Sequence, residues 1–155
     1  MMAKVFGARV IACDSDPAKL EIAKLRGADE TVLAGARAAQ SIKDLGGADV
    51  VIDFAPSPKA WDTIAAAVNP LSDVVAVGIF HDPVPLSMMW LIDGGHRVTG
   101  SSVGGRQELR DLLAFAASHN LAIDIEAVAL KDANAALDRV AAGKVKGRIA
   151  IDFSL

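Results

Sequence analysis

The segment Val10–Leu20 constrains the fold more than any other part of the chain. Its apolar residues Val10–Cys13 indicate a β-strand that ends at Asp14, and Asp16-Pro17 is a typical helix start. In a β-α-β nucleotide-binding unit, an acid at the end of the second strand accepts hydrogen bonds from the adenosine ribose and repels a 2′-phosphate. The segment therefore predicts the second strand of such a unit, with NAD favoured over NADP.

The strand that should come before this one is missing. A glycine-rich G-x-G-x-x-G turn belongs about twenty residues before the acid, but only thirteen residues precede Asp14 and none of them supplies it. The sequence thus points to a cofactor and omits the loop that would hold its pyrophosphate.

The rest of the chain alternates short strands with helices, which is typical of an α/β fold. Strands are expected at Thr31–Leu33, Val50–Phe54, Val74–Ile79, Arg97–Val103 and Ile123–Val128, and in a last half-buried strand with Ile149, Ile151 and Phe153 on one face. Helices are expected from Asp16 to Gly27, over Ala36–Leu45, from Ser57 to Asn69, around a core stripe of Leu109, Leu112, Leu113 and Ala116, and over Asp132–Ala142. We predict a Rossmann-like, mostly parallel sheet with flanking helices, truncated at its N-terminus, over residues 1–120, followed by a strand-helix-strand segment over residues 121–155.

Composition narrows the function classes. Apolar residues make up 52% of the 155 residues, which suits a parallel sheet covered on both faces. A net charge of −3 without a basic cluster argues against a nucleic-acid partner. No apolar run reaches the ~18 residues of a membrane span, and the single Cys13, expected to be a packed thiol, suits a reducing cytoplasm. We therefore expect a cytoplasmic protein.

Several segments resemble the medium-chain, zinc-type alcohol dehydrogenases, in this order along the chain. They are Ala3–Ile11, Lys24–Asp29, Val51–Phe54, Val75–Gly78, Thr99–Ser101 and Gly143–Ile149. The resemblance covers nearly the whole chain and is to the coenzyme domain of the family, from the middle of its first helix to its C-terminal strand. It implies the coenzyme-binding portion of an NAD-dependent oxidoreductase.

The resemblance also implies which residues contact the coenzyme. Asp14 and Lys19 would hold the adenosine ribose, Ala55 would flank the adenine, Val77, Gly78, Ile79, Ser101 and Ser102 would receive the nicotinamide carboxamide, and Arg148 would reach the pyrophosphate. Pro56 stands where the family usually has glycine, and it removes a backbone donor and adds a ring.

The family's catalytic zinc is held by cysteine, histidine and a further cysteine or acid in a domain that does not match this chain. His81, His96 and His119 have no paired spacing and are interpreted as surface residues. No catalytic residue and no metal ligand can be assigned, so the chain alone is expected to be inactive.

The missing strand is the central one in a sheet of order 3-2-1-4-5-6. Without it the strands at Val10 and Val50 lose their ladder partner, and each unpaired buried backbone group costs ~1–3 kcal/mol. Three outcomes stay open: a strand from another chain, closure of the two edges on each other, or a fragment of a longer protein. We expect the two strands to be adjacent or bridged by a foreign strand.

Three functions are compatible with these features. The first is the coenzyme-binding portion of an alcohol dehydrogenase-like enzyme, with hydride transfer only if the missing zinc-bearing domain is supplied. The second is a noncatalytic association module that forms a homodimer through the strand Arg97–Val103. The third is a methyltransferase-like fold, because an acid after the second strand also binds the ribose of S-adenosylmethionine.

Overall fold

The computed structural model describes residues 1–121 and 123–155. The strands are β1 (Ile11–Asp14), β2 (Glu30–Leu33), β3 (Ala48–Asp53), β4 (Val68–Ala76), β5 (Arg97–Gly100), β6 (Ile125–Ala129) and β7 (Arg148–Asp152). The helices are α1 (Met2–Val5), α2 (Pro17–Leu25), α3 (Ala38–Asp44), α4 (Pro58–Ala67), α5 (Met88–Gly94), α6 (Arg106–Ser118) and α7 (Ala133–Ala141). A 3-10 turn, Leu130–Asp132, comes before α7. Strands and helices alternate as the sequence predicts.

The chain forms two compact units, Met1–Arg106 and Gln107–Leu155. From the sequence we expect a boundary near residue 120, after α6. In the structure nearly all of α6 belongs to the second unit.

Local sequence explains where the helices of the first unit begin. The Asp16 carboxylate accepts a hydrogen bond from the Ala18 amide at 2.9 Å, and the Ser57 hydroxyl accepts one from the Ala60 amide at 3.1 Å. Each cap is followed by proline in the first turn of the helix, where the missing N–H costs nothing. The starts of α2 and α4 are therefore as predicted.

Every paired strand of the first unit runs parallel to its neighbour. β1 pairs with β2, with Asp14 opposite Leu33, while β3, β4 and β5 form a three-stranded sheet in which β4 is central. The register of β3 against β4 is interrupted between Ala48 and Val50, so the paired part of β4 begins again at Asp73. Parallel strands with flanking helices confirm the predicted fold class.

One apolar cluster supports both sheets of the first unit. Its buried residues are Val32 of β2, Ala38 and Ile42 of α3, and Ala67 of α4. Ile11 of β1 and Ala48 of β3 pack against the same cluster. β1 and β3 therefore pack against one cluster built from β2, α3 and α4.

The expected adjacency of the strands at Val10 and Val50 is wrong. Among the described residues, β1 pairs with β2 alone and β3 pairs with β4 alone, so the two inner edges face each other without a ladder between them. The physical reason is the shared core: closing the gap would pull Ile11 and Ala48 off the cluster that α3 and α4 build. A bridging strand from another chain stays a prediction.

The second unit contains a parallel pair, β6 and β7, with α7 between them in the chain. The Arg139 guanidinium of α7 forms a bidentate ion pair with the Glu126 carboxylate of β6, both contacts at 2.6 Å. Ile149 and Ile151 are half-buried as expected, but Phe153 lies beyond the end of β7 and is exposed.

The predicted core stripe of α6 is wrong. Leu109, Leu112 and Leu113 are exposed, and no residue of the helix is buried. The helical spacing was correct, but spacing only shows which face is apolar, and no described element of the second unit covers that face.

The strand bounds differ from those expected: β2 begins one residue earlier, β3 spans Ala48–Asp53, and β4 begins at Val68 instead of Val74. β4 ends at Ala76, before Ile79; β5 ends at Gly100, before Val103; and β6 begins at Ile125, after Ile123. None of the helices in the described ranges has the length and apolar character needed to span a membrane.

Candidate functional site

Asp14 closes β1 beside the start of α2. Its carboxylate is half-buried, and Oδ1 accepts a hydrogen bond from the Asp16 amide at 2.9 Å. That bond fixes the side chain in a turn that leads directly to the helix cap at Asp16. The second carboxylate oxygen accepts no bond from the described residues, so Asp14 presents an oriented acceptor at the carboxyl end of the strand.

Lys19 lies in the first turn of the helix that follows, and its side chain is exposed. A cation there is one helical turn from the cap at Asp16. Lys19 therefore lies in the helix that follows Asp14, and its contact with a ribose stays a prediction.

The ends of β3 and β4 meet at the Asp53 carbonyl. It accepts hydrogen bonds from the Val77 amide at 2.9 Å and the Gly78 amide at 3.0 Å. The Asp53 carboxylate accepts from the Ala55 amide at 3.0 Å. These three predicted residues therefore lie together, but their N–H groups are already engaged, so an incoming carboxamide would meet the carbonyl groups of Val77 and Gly78.

Gly78 allows the turn after β3 to pass close to β4. A Cβ atom at this position would lie 2.5 Å from the Phe54 carbonyl oxygen and would also meet the Pro56 ring. Pro56 thus occupies the space beside Gly78. The proline that departs from the family pattern is packed against the very strand end expected to receive the coenzyme.

Ile79, Ser101 and Ser102 are exposed residues at the ends of β4 and β5. The Ser101 amide donates to the Ala76 carbonyl at 2.8 Å and so continues the ladder between the two strands. Arg148 is exposed in the second unit, where its guanidinium donates to the Gly147 carbonyl at 3.1 Å.

A groove of about 1130 Å³ opens between β1 and β3. Of the predicted site residues, Asp14 and Ala55 line it; α3 and α4 contribute further walls. The sequence indicates a gap beside β1, but it does not indicate that Lys59 and Thr63 of α4 line this groove. The apolar spacing along α4 predicts which face of the helix packs on the sheet, but it does not predict where the sheet is interrupted.

Cys13 lies in this groove and is exposed, so its interpretation as a packed thiol is wrong. Among the described strands, only β2 pairs with β1, so the other edge of β1 is not covered by a strand. Although the residue as a whole is exposed, desolvation of its thiol, and to a lesser degree the Asp14 carboxylate, raise the pKa of Cys13 above its usual range.

His96 is not the surface residue expected from the sequence. Its Nδ1 is 2.8 Å from the hydroxyl of the fully buried Ser72, and its ring stacks on Trp90 with centroids 4.0 Å apart. Trp90 in turn contacts Trp61 edge to face at 5.5 Å. The cluster joins α4, α5 and β4, which gives His96 a packing role.

Zinc does not fit the residues that the structure describes. Three or more His, Cys, Asp or Glu side chains converge nowhere in these residues, whereas tetrahedral zinc sites use at least three protein ligands. The described residues do fit the ribose of a coenzyme. The Asp14 carboxylate is half-buried and one of its oxygens is oriented by the Asp16 amide, which suits hydrogen bonds from a ribose diol.

The sequence profile of a family described as "Zinc-binding dehydrogenase" matches residues 1–118. The chain belongs to this zinc-binding dehydrogenase family. Probable cinnamyl alcohol dehydrogenase 8A of Oryza sativa subsp. japonica is 34% identical over 151 residues, which are 97% of this chain and 42% of that protein. The chain spans 40 to 45% of the length of the curated relatives compared with it.

Solved structures agree with this membership. The alcohol dehydrogenase of the archaeon Aeropyrum pernix aligns with a TM-score of 0.86 at 26% identity, over 97% of this chain and 45% of that one. The E. coli CFT073 short chain alcohol dehydrogenase (rspB), solved in complex with NADH, aligns with a TM-score of 0.84 at 17% identity, over 98% of this chain and 47% of that one. The predicted family is confirmed, and the fold is that of alcohol dehydrogenases with a Rossmann-like coenzyme domain.

Proposed function

We propose that this chain is the coenzyme-binding portion of an NAD-dependent alcohol dehydrogenase-like oxidoreductase. It transfers hydride between NAD and an alcohol or aldehyde only when a zinc-bearing domain is supplied. The observation that carries the proposal is the oriented Asp14 carboxylate at the end of β1, directly before the capped start of α2. Family membership and a neighbour solved with NADH support the choice of coenzyme.

The remaining site residues take the roles that their positions allow. Lys19 would reach the same ribose as Asp14, and the Ala55 turn would border the adenine. The Val77, Gly78 and Ile79 carbonyls and the Ser101 and Ser102 segment would meet the carboxamide, and Arg148 would meet the pyrophosphate. Bound NAD supplies the hydride acceptor, and the residues of this chain bind and orient it.

Titration calorimetry of the intact chain with NADH, with NADPH as the comparison, tests the proposal. We expect saturable NADH binding that weakens about ten- to a hundredfold in Asp14→Ala, because hydrogen bonds to a charged group contribute ~1.5–3 kcal/mol. The control is Asp138→Ala, which removes an exposed acid on α7 of the second unit. Absence of NADH binding, or equal binding by Asp14→Ala, would overturn the proposal.

The same titration separates the alternatives. Preference for S-adenosylhomocysteine over NADH would indicate the methyltransferase-like function. A noncatalytic association module would dimerise without binding either nucleotide. The outer edge of β5 favours this second candidate, because all residues of Arg97–Gly100 are exposed and Met88, Met89 and Ile92 of nearby α5 are exposed as well. We propose a homodimer through that edge and a cytoplasmic location.

A further inference from the structure

A small cavity lies where α4 contacts α5. Trp61, Asp62, Ala65 and Ala66 of α4 line it, and Trp90 of α5 lines it from the other helix. Residues four apart on a helix are neighbours on its surface, so the Trp61 and Asp62 side chains each stand one turn from an alanine. The small alanine side chains leave space beside the indole rings, and the cavity has a volume of about 350 Å³.

Contacts within the fold hold both indole rings of this cavity in place. The Trp90 indole N–H donates to the Ala65 carbonyl at 3.0 Å, and the Trp61 ring contacts the Trp90 ring edge to face. The His96 ring stacks on Trp90 and is itself held by the buried Ser72 hydroxyl. The aromatic lining is therefore positioned before any ligand binds, which lowers the entropy cost of binding.

The polar groups of the lining favour a cation. The Ser87 hydroxyl already accepts a hydrogen bond from the Trp90 amide at 3.3 Å, and the Trp90 indole N–H is engaged as well. Asp62 is exposed, and none of the described residues forms an ion pair or a hydrogen bond with its carboxylate. Among the described residues of the lining, Asp62 is the only charged one. The cavity therefore attracts a positive charge and repels a negative one.

Aromatic rings beside a carboxylate suit an ammonium group. The face of an aromatic ring attracts cations, and tryptophan does so most strongly. A quaternary ammonium group has no N–H to donate, so ring faces and a nearby charge can bind it without directed hydrogen bonds. Pro85 and the two alanines supply apolar contacts for a substituent on that group. The volume lies at the lower end of the range for small-molecule sites, which suits a substituent of about the size of one aromatic ring.

This cavity is separate from the groove between β1 and β3. Trp61 and Trp90 line the cavity and not the groove, whereas Asp62 and Ala66 border both. None of the residues assigned above to the coenzyme belongs to the described lining of the cavity. A ligand in contact with both tryptophans therefore occupies a different place from the coenzyme.

We propose that this cavity binds a small organic cation, a quaternary ammonium group that carries one apolar substituent. The ammonium group lies against Trp61 and Trp90, beside the Asp62 carboxylate. The substituent contacts Pro85 and the alanines of α4. The argument uses the fixed indole rings, the unpaired carboxylate and the volume, and it is independent of coenzyme binding.

The tryptophans give a direct test, because the chain has two of them and both line the cavity. The measurement is the shift of the two indole N–H signals in proton–nitrogen NMR of the intact chain. The probe is meta-hydroxyphenyl trimethylammonium, and the matched control is meta-tert-butylphenol, which has the same shape and no charge. Both titrations are done at about pH 6.5, where the phenol groups keep their protons.

We expect the cation to shift both indole signals saturably and to bind about tenfold more tightly than meta-tert-butylphenol. Asp62→Asn should weaken binding of the cation about three- to tenfold and leave binding of the neutral phenol unchanged. Asp138→Asn, at an exposed position of α7, should leave both affinities unchanged. The comparison of the two probes uses the native chain, so it stands even if Asp62→Asn misfolds.

Three results would overturn the proposal. The first is no shift of the indole signals by the cation. The second is binding of the neutral phenol as tight as that of the cation, since the cavity would then recognise shape and not charge. The third is native affinity for the cation in folded Asp62→Asn. No nucleotide is present in any titration, so the outcome is separate from that of the NADH titration.

Discussion

Gly78 shows how a single residue shapes the candidate coenzyme site. It has an ordinary backbone conformation, so its need for glycine comes from the close approach of Phe54 and Pro56 alone. We expect Gly78→Ala to lower the free energy of unfolding by about 1–3 kcal/mol, as overpacking does. Urea denaturation measures this loss.

Gly100→Ala is the matched control for this prediction. Gly100 ends β5, and a Cβ atom there would meet nothing within 4 Å. It should leave the unfolding midpoint nearly unchanged. Equal stability of Gly78→Ala and the native chain would mean that the turn at Pro56 moves aside freely.

The sequence predicted single residues well where their role is local. Asp14 follows a strand and precedes a helix cap, and both are short-range properties of the sequence. Cys13 and His96 were misinterpreted because their surroundings come from distant segments. Cys13 is exposed because it lines the groove. His96 forms a hydrogen bond with Ser72, which lies 24 residues away in the sequence.

At the scale of elements, Asp29 ties α1 to the strands that follow. Its carboxylate accepts from the Lys4 ammonium at 2.8 and 2.9 Å and from the Val10 amide at 2.7 Å. The hydrogen bond from Lys4 and, next, that from Val10 hold the pKa of Asp29 below its usual range. Because the pKa is lower in the folded chain, stabilisation by this group is complete above its ordinary value and is lost as the pH falls through the folded value.

We therefore expect Asp29→Asn to flatten the acid limb of the stability curve. Below about pH 4 the native chain should take up as much as one proton more on unfolding than the variant does. Urea unfolding between about pH 7 and pH 3 measures this difference. Asp138→Asn, at an exposed position of α7, is the control and should keep the native slope. Parallel curves for Asp29→Asn and the native chain would contradict the role of Asp29.

The starts of helices are predictable from the sequence where a capping residue marks them. Burial and the ends of strands are less predictable, because they depend on packing against other elements. Asp16 and Ser57 begin α2 and α4 as expected, because a cap is a contact between neighbours in sequence. The apolar residues of α6 have the predicted helical spacing, yet Leu109, Leu112 and Leu113 are exposed. Amphipathic spacing shows which face of a helix is apolar, but it does not show which element packs against that face. Strand ends differed for a similar reason: β5 ends at Gly100, where its pairing with Ala76 ends.

For the whole molecule, the pairing of the described strands predicts an uneven pattern of stability. β4 has neighbours on both sides over Asp73–Ala76, and Val74 at its centre is 2% exposed. Among the described residues, β3 pairs with β4 alone. In a parallel strand successive amides point to opposite edges. Alternate amides of β3 should therefore lack a partner, while every amide in the paired part of β4 has one.

Hydrogen exchange of the intact chain, read amide by amide by NMR, tests this pattern. We expect alternate amides of β3 to exchange at least about a hundredfold faster than those flanking Val74, because exposed groups need no opening of the structure. Uniform protection along β3 would contradict an unpaired edge, because every β3 amide would then have an acceptor. This alternation of exchange rates follows from the pairing of the strands. The sequence of β3 alone does not predict it, because that sequence is typical of a fully buried strand.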